Sequence, residues 1–155
     1  MVHSPDILKL SESWIRILNK MDEVEKYPKD FGSGDLLHGS EIHTIMAIGM
    51  HKDINGTNLA GLLGISRNAV SQMISRLVSK DFVEKYRDPD NDKEIRLRLT
   101  PRGTIAYLGH EQFHAKIYAL MQQKLGPVTE EQFQFLTQFL TAIEKTADEF
   151  LQDQQ

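Results

Sequence analysis

Between Thr57 and Lys80 two short helical patterns meet at one glycine: TNLAGLLG, then IS, then RNAVSQMISRLVSK. Few folds accommodate such an arrangement. Small Ala60 and Gly61 let one helix approach another closely, Gly64 supplies the permissive backbone of a tight turn, and Ile65 is expected to plug the corner. Ser66 caps the second helix, which runs to about Lys80. Advancing about 100° per residue from Arg67 puts Ala69, Val70, Met73, Ile74 and Leu77 on one half of the cylinder. That half is predicted to pack on the preceding helices. The other half holds Asn68, Ser71, Gln72, Ser75, Arg76 and Ser79 beside Arg67, with no acidic residue before Lys80. An ordinary solvated face is rich in Glu and Lys. Asn and Gln pair with an adenine edge, Arg with guanine, and Ser reaches base or phosphate in a tight groove. Ser66, Arg67, Asn68, Ser71, Gln72, Ser75 and Arg76 are therefore the candidate DNA contacts, against the plainer alternative of a polar surface helix.

Two strand-like runs follow, Phe82–Tyr86 and Glu94–Leu99, around the turn-rich Asp88-Pro89-Asp90-Asn91-Asp92. Arg87, Lys93, Arg96 and Arg98 sit on or around this hairpin, suited to grip a phosphate backbone or enter a minor groove. A hairpin directly after a reading helix is a wing. Net charge across the 155 residues is −4, yet residues 57–103 hold nine Lys/Arg against six Asp/Glu. A cationic middle lies between acidic flanks.

The rest reads as helix. Residues 7–27 carry Ile7, Leu10, Trp14, Leu18, Met21 and Val24 at three- and four-residue steps until Pro28. Gly32-Ser33-Gly34 and Gly39 mark a loop, Ser40 opens a second helix to about His51, and Thr57 caps the third. Thr100-Pro101 opens a long helix that stops at Gly126-Pro127. Thr129 to Gln132 form a capping box for the last helix, to about Leu151, whose Phe133, Leu136, Leu140, Ile143, Ala147 and Phe150 follow a heptad seam. One small domain has little surface to cover so much apolar helix, so a second chain is expected. The alternative is internal pairing of the last two helices. There is no cysteine, which excludes thiolate metal sites, disulfides and thiol catalysis. No apolar run approaches the roughly 18 residues of a membrane span. The start lacks a basic flank and apolar stretch, so a cytoplasmic protein with no membrane partner is expected.

LAGLLGISRNAVSQMISRLVSKDFV, the wing RDPDNDKEIRLRLTPRG and the flanking helices together resemble the MarR family of winged helix-turn-helix transcription regulators, over essentially the whole chain. The resemblance implies a mainly α fold with a small β-wing, one domain over 1–155. Within it a winged helix-turn-helix at 40–100 lies between dimerisation helices 7–27 and 101–151. It implies a homodimer on a pseudo-palindromic operator in double-stranded DNA, a repressor by expectation rather than an enzyme, under a small-molecule or metal effector. One departure stands out: the family's wing Asp-x-Arg is here Asn91-Asp92-Lys93. Lysine cannot reproduce arginine's bidentate fork.

Residues 110–114 read HEQFH, placing His110 and His114 one helical turn apart. In a zinc hydrolase Glu111 would activate a metal-bound water, but the third ligand has no obvious source. Zinc-responsive members of the MarR family look similar here, and that resemblance adds His43 and Glu25 to His110 and His114, with zinc as a regulatory ligand. Their second zinc site finds Ile42 where it uses glutamate, and no cysteine. A third alternative is that the histidines simply pack beside Tyr107 and Phe113; separately, a small aromatic or other organic effector near Trp14 and Phe31 is equally open.

Overall fold

The computed structural model describes residues 4–88 and 91–152. Its elements in order are α1 (Ser4–Glu25), β1 (Lys29–Asp30), β2 (Leu36–Leu37), α2 (Gly39–Met50), α3 (Gly56–Leu63), α4 (Arg67–Ser79), β3 (Val83–Asp88), β4 (Asn91–Leu99), α5 (Pro101–Leu125) and α6 (Glu130–Gln152). Two compact units divide inside α5, residues 1–113 and 114–155. None of these helices is long and apolar enough to cross a membrane.

The first unit is a winged helix-turn-helix. Ile45 of α2, Leu59 of α3, Leu77 of α4 and Phe82 are each 0% exposed, and Val83 and Leu97 of the β3–β4 pair close the same core. β3 and β4 are antiparallel, with Val83 opposite Leu99 and Tyr86 opposite Arg96. A bridge from Asn55 to Arg96 adds the stub of a third strand. Gly64, at φ 66°, makes the α3–α4 turn, and Ser66 Oγ accepts the Ala69 N–H at 3.2 Å, both as anticipated. The apolar half of α4 buries Val70, Ile74 and Leu77, but Ala69 is exposed. Ile65 does not plug the corner. It is 43% exposed, whereas Leu59, Ala60 and Val70 on the two flanking helices are buried. Gly61 is not a close-approach site either, since a Cβ there would meet nothing within 4 Å.

Several boundaries differ from the sequence expectations for local reasons. α3 is capped by Asn55, whose Oδ1 accepts the Asn58 N–H at 2.8 Å, so the helix starts before Thr57. α2 begins at Gly39 rather than after Ser40, because the Glu41 carboxylate reaches back to the His38 N–H at 3.0 Å. The stretch expected as loop contains the β1–β2 hairpin, folded by Asp30 Oδ1 accepting the N–H groups of Gly32 and Gly34. α5 starts as anticipated, with Thr100 Oγ1 accepting the Gly103 N–H at 3.0 Å. A Cβ on Gly103 would lie 2.0 Å from the Phe82 carbonyl oxygen, so glycine is what lets α5 lie against that backbone.

α1 leaves Leu10, Ile17, Leu18 and Met21 each more than half exposed. In the second unit α6 is capped by Thr129 and Gln132 exchanging hydrogen bonds, and none of its residues is buried.

A candidate nucleic-acid interface

Ser66, Arg67, Asn68, Ser71, Gln72, Ser75 and Arg76 are all exposed; Asn68, Gln72, Ser75 and Arg76 lie opposite the buried Val70, Ile74 and Leu77 of α4, and Arg67 and Ser71 border that buried side. The helical period and the core beneath α4 together produce this single wet surface. Beside it, Arg67 and Ser71 line a cleft of about 350 Å³ with Thr57, Lys85 and Glu94. Lys85 was not singled out from the sequence. It and Arg87 are exposed on the same face of β3, and their two-residue alternation was the signal.

The wing is braced from below. Tyr86 Oη donates to Asp53 Oδ1, which raises the Tyr86 pKa. Asn55 Nδ2 donates to Glu94 Oε1 at 2.5 Å. Arg96, expected to reach DNA, is half-buried instead: Nη1 donates to the Asp53 carbonyl at 3.0 Å and Nη2 to Glu94 at 3.3 Å. Its strand register turns it toward the α2–α3 connection, so it holds the wing in place. Arg98 pairs with Glu84 at 2.7 Å and lies over the Tyr86 ring. The Lys93 side chain lies outside the described residues.

Behind α4, the Glu41 carboxylate is 1% exposed and accepts from Lys80 Nζ at 2.6 Å. Burial alone would raise its pKa, but the hydrogen bonds from Lys80 and the His38 backbone outweigh it and the net shift is downward. A depressed carboxyl stabilises the fold above its unfolded pKa, and that contribution is lost as pH falls through the folded value. Acid titration followed by circular dichroism should therefore show Glu41→Gln losing part of the wild type's stability decrease below about pH 4.3.

The histidines come together in part. His43 is exposed on α2 and its ring lies 5.6 Å from that of His110, which is 4% exposed. Phe31 meets His110 edge-on at 5.0 Å, and Phe113 stacks on it at 6.2 Å. His114 follows His110 by one turn of α5. Glu25 is apart from them: its carboxyl lies against Gly39, where a Cβ would sit 3.1 Å from Glu25 Cδ. Glu111 accepts from Tyr107 Oη at 3.0 Å.

Residues 37–95 match the model of the MarR family. The winged segment is a MarR-family domain. The chain is 28% identical over 127 residues to the HTH-type transcriptional regulator PchR of Bacillus subtilis, covering 82% of this chain and 70% of PchR. Among solved structures it is similar in fold to Streptococcus pneumoniae FabT in complex with DNA (TM-score 0.70, 21% identity, 93% of this chain and 99% of FabT). It is also similar to Lactococcus lactis ZitR, a zinc-responsive MarR family member (TM-score 0.65, 18% identity, 90% of this chain and 98% of ZitR). The matched segment and the HTH-type relatives favour a transcriptional regulator over the HEQFH hydrolase.

Proposed function

We propose that the chain acts over residues 1–155 as one MarR-type unit in the cytoplasm. It binds double-stranded DNA as a homodimer, each α4 entering a major groove of a pseudo-palindromic operator about one helical turn from the other. The observation behind this is the exposed, acid-free face of α4. Arg67, Asn68 and Gln72 address base edges, while Ser66, Ser71, Ser75, Arg76, Lys85 and Arg87 address base or backbone. FabT, solved with DNA, supports the docking mode. The exposed apolar residues of α1 and α6 support a second copy as partner, since surfaces of that kind mark interfaces. Occupying a promoter in this way represses transcription, and an effector would shift the spacing of the two reading helices. Arg67→Ala should weaken binding to a selected duplex by about 1–3 kcal/mol, with relaxed preference at particular base pairs. Fluorescence anisotropy against single-substituted duplexes reads this, and an unchanged preference profile would count against Arg67 as a base reader.

For the effector, the ring contact of His43 with His110 favours zinc. His43, His110 and His114 offer three imidazole nitrogens, a donor set suited to that ion. Water would complete four-coordination, since Glu25 stands apart against Gly39. Bound there, zinc would cross-link α2 to α5, and ZitR is a zinc-responsive relative in fold. Protein purified without chelator or affinity tag should hold about one zinc per chain, and both His110→Ala and exposed His43→Ala should lose it. Metal-free wild type would direct the search to organic effectors.

A further inference from the structure

The candidate DNA contacts on α4 end at Arg76, yet the densest polar construction on this helix lies one turn further on, at Lys80. Lys80 caps α4 and is held from two sides. Its Nζ donates to Glu41 Oε1 at 2.6 Å, and its carbonyl accepts from Arg102 Nη1 at 3.1 Å. Arg102 also pairs through Nη2 with Asp35 at 2.8 Å, and its guanidinium lies over the Phe82 ring at 4.9 Å. Glu41 is in turn tied to the start of α2 through the His38 N–H. Three separate segments, the β1–β2 hairpin, α2 and α5, thus converge on the trailing end of α4.

A buried carboxylate is a poor choice for stability alone, since apolar replacements of buried ion pairs are often neutral or better. Together with the planar Arg102 guanidinium, which holds the Lys80 carbonyl and Asp35 at once, it favours one helix direction over others. Orientation matters here through leverage. From Lys80 to Arg67 the helix runs about 20 Å, so a tilt of about 5° at the clamped end moves Arg67 by nearly 2 Å. That displacement exceeds what a bidentate hydrogen bond to a base edge tolerates.

We propose that Glu41, Lys80 and Arg102 are positioning residues that set the angle of α4, so that sequence discrimination depends on a carboxylate which never touches DNA. The proposal rests on α4 being the DNA-reading helix. Charge and position predict opposite signs for Glu41→Gln. Removing a negative charge should strengthen binding to every duplex, whereas releasing the helix should weaken binding to the preferred duplex only.

The test uses the full-length protein, a duplex that wild type selects from a random-sequence pool, and a scrambled duplex of equal composition. Glu41→Gln and Lys80→Met should each lower affinity for the selected duplex at least tenfold and change the scrambled one less than twofold. Lys80→Arg should restore discrimination. Arg102→Lys, which keeps the charge but not the fork, covers any variant that fails to fold and should lose discrimination severalfold. If Lys80→Met weakens both duplexes equally and lowers the salt slope by about one, Lys80 is a phosphate contact and the proposal fails. It fails too if Glu41→Gln leaves the affinity ratio unchanged. Hydrogen exchange provides a readout without DNA: amides at Leu77–Asp81 should exchange at least tenfold faster in Glu41→Gln, with α3 unaffected. Unaltered protection there overturns the clamp. A wild type that selects no duplex counts instead against α4 as a reader.

Discussion

Raising KCl from about 50 to about 200 mM is expected to weaken binding to a selected duplex by about a thousandfold. Each copy presents Arg76, Lys85 and Arg87 as exposed cations beside the reading face. In the proposed dimer these would neutralise about six phosphates, giving a log–log slope near −5 and a fall of about 10³ over this range. The chain's net charge of −4 sharpens the effect, because away from this face the protein repels DNA. Anisotropy titrations at four salt concentrations give the slope directly. A slope shallower than about −2 would mean that the wing and the flank of α4 do not meet the backbone.

The largest loss of stability should come from Phe82→Ala, about 3–5 kcal/mol. Phe82 is 0% exposed, its N–H donates to the Leu77 carbonyl at 2.9 Å, and its carbonyl accepts the Thr100 N–H at 3.1 Å. Its backbone faces Gly103 of α5 and its ring underlies Arg102. The side chain therefore fills the point where α4, the wing and α5 meet, and no neighbour can move in without breaking one of those contacts. Thermal unfolding by circular dichroism should show Tm lower by about 10 °C. A fall under about 3 °C would show that the site collapses around the cavity.

Local chemistry made much of this legible beforehand. The α4 surface followed from period alone, since a helix whose apolar residues share one side must present the others together. Gly64, Ser66, Thr100 and Thr129 act where residues of their type are needed, at a left-handed turn and at helix N-termini. The errors have one character. The size of Gly61 and the apolar side chain of Ile65 suggest packing roles, but both residues are exposed, because the space around a residue depends on the whole fold. Arg96 was placed on the DNA side, although strand register and Asp53 turn it inward.

Turn chemistry and periodicity therefore determined that this chain builds a helix-turn-helix followed by a hairpin, with one exposed, acid-free face on α4. Those properties belong to neighbours within a turn or two, where backbone geometry dictates which side chains share a face. Tertiary structure alone decided which polar side chains are engaged by distant partners. Glu41 with Lys80, Asn55 with Glu94 and Arg96 with Asp53 each pair residues about 40 positions apart. A carboxylate looks the same in sequence whether it faces water or is buried against an ammonium, and only folding brings the partner to it.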